Sequence, residues 1–206
     1  MEKQTNINKL HGIARFVLFI TSYIPLFLLI CLKQFYGNKE FLYWSGFSDH
    51  SVIIFFQKFG LSCILIVLSS FGLIGCYLLF KNLEKDSKNG ENVTIKEINN
   101  RNSESIGYIA TYIVPFLFQN FNDWYEITAF VFLMVIIYRI YINSNLLIIN
   151  PLLSFRYSIF EMEYTTSNGK DRKGLIITKE NVLDEEAIVK VYPIGHKLFY
   201  AVLRKT

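Results

Sequence analysis

The sequence predicts an α-helical membrane protein: a four-transmembrane-helix bundle with a small C-terminal cytoplasmic β-rich domain, SH3-like or a curled sheet. Three observations predict it. Four apolar stretches near bilayer length fill most of residues 1–150 of the 206. Basic residues collect in alternate connecting segments, and beyond residue 150 the apolar period changes from helical to alternating.

The stretches run about 16–32, 59–80, 106–121 and 127–149. A hydrocarbon core of about 30 Å takes about 20 apolar helical residues, so the two shorter stretches require tilt or local thinning. Helices of a soluble core keep a polar face, and these do not. Lys3, Lys9 and Arg15 precede the first span; Lys81, Lys85, Lys88, Lys96 and Arg101 follow the second; Arg156, Lys170, Arg172 and Lys173 follow the fourth. The other side offers only Lys33, Lys39 and Lys58, and none between Asn120 and Glu126. The positive-inside rule therefore places both termini and the 81–104 loop in the cytoplasm. Phe35, Tyr36, Tyr43, Trp44, Phe121, Trp124 and Tyr125 read as an interfacial belt on the opposite side. The first span lacks a small-x-small site after it and reads as an uncleaved anchor.

Composition excludes several functions. A net charge of +4 is modest and diffuse; it suits anionic headgroups better than nucleic acid. Cys31, Cys63 and Cys76 all fall inside spans, which fits small apolar packing residues rather than a disulfide framework or metal set. His11, His50 and His196 are scattered, and no nucleotide, hydrolase or zinc-peptidase motif occurs. The expectation is a non-enzyme with no cofactor, no metal and no catalytic residue.

The chain divides at about 150 into a four-span membrane part (1–150) and a tail (151–206). Segment 41–58 is apolar but interrupted, and is expected partly in the outer interface, with Lys58 reaching toward water. In the 81–104 loop, Val93 to Ile98 alternates like a strand and is a candidate to pair with the tail. The tail itself offers strands at Tyr157–Thr165, Leu175–Thr178, Ala187–Tyr192 and Lys197–Leu203, with turns at Ser167–Gly169 and Pro193–His196. So small a sheet needs a docking surface. Asn92-Val93-Thr94 matches a glycosylation acceptor, a chance match in a cytoplasmic loop.

Candidate functional residues sit on small-residue faces and at isolated charges. Ser69, Gly72, Gly75 and Cys76 in the second span allow close helix approach, within the subunit or between subunits. In the third span, Gly107, Ala110 and Thr111 with Pro115 form a small, kink-prone face. Glu104, Tyr108 and Tyr112 follow one another at helical spacing beside it, as an interfacial Glu with belt tyrosines or as a functional track. Arg139, toward the cytoplasmic end of the fourth span, either snorkels to lipid phosphate or pairs with Glu104 or a sister subunit. Asn150 and Pro151 form the junction with the tail.

Four spans, the YIATYIVPF stretch (Tyr108 to Phe116), SNLLIINPLL (Ser144 to Leu153) and the strand FRYSIFEME after it resemble the KwaA family, the membrane subunits of the Kiwa antiphage defence system. The resemblance covers nearly the whole length. It implies a homo-oligomer, a tetramer, in the bacterial inner membrane. It further implies a role in sensing phage attachment or injection, and a cytosolic DNA-binding partner, KwaB, that carries out the inhibition. No catalytic residues and no direct nucleic-acid binding transfer to this chain. Three functions are consistent with the residues: a membrane-perturbation sensor whose tail signals to a partner, a pore subunit lined by Thr111, Gln119 and Asn120 that depolarises the cell, or a lipid-binding scaffold without switching.

Overall fold

The computed structural model describes residues 12–42, 46, 48–102, 124–143, 150–166, 169–195 and 197–203. Helices α1 (Gly12–Gly37), α2 (Asp49–Asp86) and α3 (Trp124–Asn143) are each long and apolar enough to cross a membrane. Strand β1 (Glu91–Asn100) precedes α3; β2 (Ser158–Thr165), β3 (Asp171–Thr178), β4 (Ile188–Gly195) and β5 (Leu198–Leu203) follow it. The predicted third span, 106–121, lies outside the described residues, as do Ser144 to Ile149 at the end of the fourth.

Helix α2 begins well before the boundary expected near Phe59. Ser48 is its N-cap, its hydroxyl accepting from the Ser51 N–H at 3.3 Å, and Asp49 occupies the positive first turn. With 38 residues, α2 measures about 57 Å at the helical rise, longer than a hydrocarbon core. Its uncharged part, Phe59 to Phe80, measures about 33 Å and matches one. At one limit of that part, the Lys58 ammonium lies 5.1 Å over the Phe41 ring.

Helices α1 and α2 form an antiparallel hairpin. Val17 faces Gly75 near one end, and at the other the Gln34 amide oxygen accepts from the Ser62 N–H at 3.1 Å. The α2 stripe Phe59, Ser62, Leu65, Gly72, Cys76, Phe80 and Leu83 recurs at three- and four-residue spacing and is buried. Close approach needs glycine here: a methyl group on Gly72 would meet Ile20 Cγ2 at 2.8 Å, and one on Gly75 would meet Val17 Cγ2 at 2.7 Å. The Thr21 hydroxyl donates to Val17 O (2.7 Å) and reaches Gly72 O (3.2 Å) across the contact. Helix α1 is the innermost of the three and continues through Pro25. Helix α3 leans on it by a narrow stripe containing Phe130, Ile137 and Tyr141; the Phe19 ring lies 4.9 Å from Tyr138 and 5.3 Å from Tyr141.

The five strands close into a barrel in the order β1-β2-β3-β5-β4. The expected pairing of the 93–98 strand with the tail is found: β1 lies antiparallel to β2 (Ile98 opposite Met162) and to β4 (Val93 opposite Val189). The four tail strands occur where alternation placed them, except that β3 starts earlier, at Asp171, and β4 runs on to Gly195, through most of the expected Pro193–His196 turn. Of the two tail architectures expected, the barrel and not the curled sheet is found, and its fifth strand comes from the loop before α3. Closure leaves β2 and β4 without a bare edge. The interior is filled by Val93, Ile95, Phe160, Met162, Ile176 and Val189 among others.

Ion pairs fasten the outer face of β1 to β2 and, beyond it, to β3. Lys96 Nζ lies 2.6 Å from Asp171 Oδ2, and Arg101 pairs with Glu161, which Lys173 also approaches at 3.8 Å. The Arg101 hydrogen bond holds the Glu161 carboxyl below the usual range, and the Lys96 hydrogen bond does the same for Asp171. A depressed folded-state value stabilises the fold above the unfolded carboxylate value, about 4. Protonation at lower pH removes that contribution. The barrel's near-ultraviolet tyrosine melt should therefore be level from pH 7 to about 5 and fall below about 4. Lys96→Ala should flatten part of the fall; an unchanged melt down to pH 3 would contradict these pairs.

Candidate functional site at the helix–barrel junction

Alternation along the strands breaks at one end of the barrel. Ile159, Ile177 and Tyr200 lie side by side on adjacent strands, on the face opposite the interior residues Phe160, Ile176 and Ala201. Their row joins Tyr157, Ile194 and Leu198 and packs on Phe80, Leu83 and Leu153. One apolar core consequently runs without a break from α1 and α2 into the barrel. At its centre the Phe80 and Tyr157 rings stack at 4.3 Å and 25°, with Tyr200 6.4 Å from each. Burial raises the Tyr157 and Tyr200 phenols above their ordinary values, so both remain neutral. At the rim, Lys179 Nζ meets Glu84 Oε2 at 2.7 Å, and the Lys190 ammonium donates to Lys88 O. Gly90 permits this seating, since a methyl group there would lie 2.5 Å from Val191 O.

A buried polar cluster ties the same junction to α1. The Leu18 carbonyl accepts from Ser22 Oγ (2.9 Å), Asn150 Nδ2 (3.2 Å) and, more distantly, Tyr141 OH (3.5 Å). The Ser22 and Tyr141 hydroxyls also share a hydrogen bond at 2.8 Å, in which either can donate. Asn150 is fully buried, and its Oδ1 accepts from Leu152 N (3.0 Å) and Leu153 N (3.4 Å), capping the Leu153–Phe155 turn. Its anchor is therefore α1.

The other candidate residues distribute as follows. Ser69 is half-buried, its hydroxyl returned to Leu65 O at 2.7 Å; Gly72, Gly75 and Cys76 face α1 of the same chain. Pro151 is buried beside Asn150. Lys58 stands at the end of the bundle away from the barrel, with Tyr36, Trp124 and Tyr125 exposed at that end. Arg139 is exposed on α3, without an ion pair among the described residues. Glu104, Gly107, Tyr108, Ala110, Thr111, Tyr112 and Pro115 lie outside the described residues. Cys31, Cys63 and Cys76 are free thiols. The residues that make the junction, Phe80, Tyr157, Ile159, Ile177 and Tyr200, were not candidates; adjacent apolar pairs such as Ile159-Phe160 and Ile176-Ile177 are the signal that marks them.

Three helices long and apolar enough to cross a membrane share one core with a closed β-barrel, and this defines the class: an apolar helical bundle with a docked barrel. The chain matches the model of the anti-phage protein KwaA family over residues 14–200 and belongs to that family. It is also similar to the Kiwa protein KwaA of Escherichia coli O55:H7 (strain RM12579 / EPEC), 29% identical over 130 residues, which are 57% of this chain and 66% of that relative. The aligned part thus falls just short of two thirds of the relative's length. No solved structure matches.

Proposed function

We propose that this chain is the membrane-embedded sensor subunit of a bacterial antiphage defence complex. It detects phage attachment or membrane perturbation and signals through its barrel to a cytosolic, KwaB-like DNA-binding effector. In this reading it acts without catalysis of its own, as a homotetramer in the inner membrane with both termini cytoplasmic. The observation that carries it is the continuous core from α1 and α2 into the barrel through Phe80, Tyr157 and Tyr200. A change of helix tilt in the bilayer would move a docked barrel as a body, and that displaced surface is what a soluble partner can read.

Strand pairing supports four crossings. Strands of one barrel occupy one side of a membrane, and β1 pairs with β2. The chain between Asn100 and Ser158 then crosses an even number of times, and α3 accounts for one crossing. Stretch 106–121 is the sequence's candidate for the other. The antiparallel α1–α2 hairpin brings the start of α1 to the barrel side as well, which agrees with the basic segments at 3–15, 81–101 and 156–173.

The test separates the membrane part from the barrel. Removing residues 155–206 alone would leave β1 as a bare edge, so 91–100 are replaced by a Gly/Ser linker in the same variant. After co-expression with the effector and detergent extraction, the variant should still assemble at four times its own chain mass and lose the effector. Continued co-purification of the effector would refute signalling through the barrel.

A further inference from the structure

A groove of about 350 Å³ opens beside the junction, between α2 and the turn that leads into β2. Its lining combines apolar Leu73, Cys76 and Phe80 with the cations Lys81 and Arg156. The one carboxylate in the wall, Glu84, is engaged by Lys179 at 2.7 Å. Among the described residues, Lys81 and Arg156 form no ion pair. Two cations without a counter-charge thus stand beside apolar side chains in one slot.

Position identifies the occupant. Lys81 directly follows Phe80, the last residue of the uncharged part of α2, so it marks the headgroup level on the barrel side. Leu73 and Tyr77 line the groove and are 52% and 57% exposed, so the slot is open to the surface that acyl chains cover. Phe155, beside Arg156, is 86% exposed at the same end of the bundle, as a side chain that enters the interface would be. A soluble anion would use the cations and leave the slot wet; an acyl chain alone would leave the cations unused.

We infer that this groove binds an anionic glycerophospholipid of the barrel-side leaflet. Its phosphate lies between Lys81 and Arg156, and one acyl chain lies along Leu73 and Cys76. The inference rests on the membrane reading of α1–α3 but is independent of effector signalling. Because Arg156 belongs to the barrel-side turn and Lys81 to α2, the bound phosphate would bridge the two bodies and make their docking sensitive to the leaflet's charge.

The test uses the full-length protein, first shown to resist carbonate extraction from membranes, so that failure of the membrane reading is seen separately. Native mass spectra are then recorded with dioleoyl phosphatidylglycerol or dioleoyl phosphatidylethanolamine. Wild type should retain phosphatidylglycerol preferentially, and Lys81→Ser/Arg156→Ser should weaken retention roughly thirtyfold, two headgroup cations at their usual worth. Leu73→Trp, a change at a surface position, should block the slot and weaken retention with both cations present. Millimolar glycerol 3-phosphate should not displace the lipid. Equal retention by wild type and the double variant, displacement by glycerol 3-phosphate, or a changed oligomer mass in Leu73→Trp (a second copy in the groove) would each overturn the assignment.

Discussion

Asn150→Ala should release the barrel-side turn from α1 and abolish phage protection while the chain still reaches the membrane. The side chain makes three contacts in a site with no measurable exposure: donation to Leu18 O and acceptance from Leu152 N and Leu153 N. Losing a cap of this kind costs about 1 kcal/mol. Leaving buried backbone N–H groups unpaired costs about 1–3 kcal/mol more. The Arg156–Tyr157 bond is the reporter, since the Tyr157 N–H is held by Leu153 O at 2.7 Å and its ring is buried against Phe80. A local loss of about 2 kcal/mol raises the open population, and with it the rate of tryptic cleavage after Arg156, about thirtyfold. Asn150→Asp tests the two halves apart. Its carboxylate keeps the acceptor role but cannot donate to Leu18, so the turn should stay capped while the tie to α1 is lost. Unaltered cleavage in Asn150→Ala would mean that the tie does not hold the junction.

How much of this was readable in the sequence differs by element, for physical reasons. The first, second and fourth apolar stretches could be read because a bilayer-length helix needs an unbroken run; α1 and α2 contain the first two, and α3 contains the described part of the fourth, 127–143. Strand β1 could be read because Val93 and Ile95 alternate with Thr94 and Lys96 inside a polar loop; the bulge falls at the three-residue step from Ile95 to Ile98. The start of α2 was missed because the Gly and Ser residues of segment 41–58 look like interruptions, although Ser48 with Asp49 is a helix-start signal. Gly72 and Gly75 signalled close approach, yet a small-residue face does not name its partner; the Ile20 and Val17 side chains do. Asn150-Pro151 marked the junction with the tail, while its tie to Leu18, 132 residues away, leaves no trace in local pattern. The docking row was hidden for a related reason. An apolar pair such as Ile159-Phe160 shows that both faces are covered, but not by what.

Phe80→Ala should undock the barrel without unfolding it. The barrel's interior, from Val93 and Ile95 to Met162 and Val189, contains neither Phe80 nor Tyr157, so its own melt should change little. The junction is different. Phe80 is buried at 4% exposure under the Tyr157 and Tyr200 rings. Truncating a buried Phe costs about 3–5 kcal/mol, of which the stacked pair accounts for about 0.5–1.5 kcal/mol. Tyr157→Ala removes the other half of the stack, so the double variant should lose less than the two single losses together. Spin labels at Leu78 on the exposed face of α2 and Val182 in the β3–β4 connection, both surface positions, read the docking directly. Their distance distribution should be narrow in the wild type and broad in Phe80→Ala, with phage protection lost in parallel. A broad distribution with full protection would show that rigid docking is not how the signal travels. A narrow distribution with protection lost would move the effect of Phe80 elsewhere, to the groove that its ring also lines.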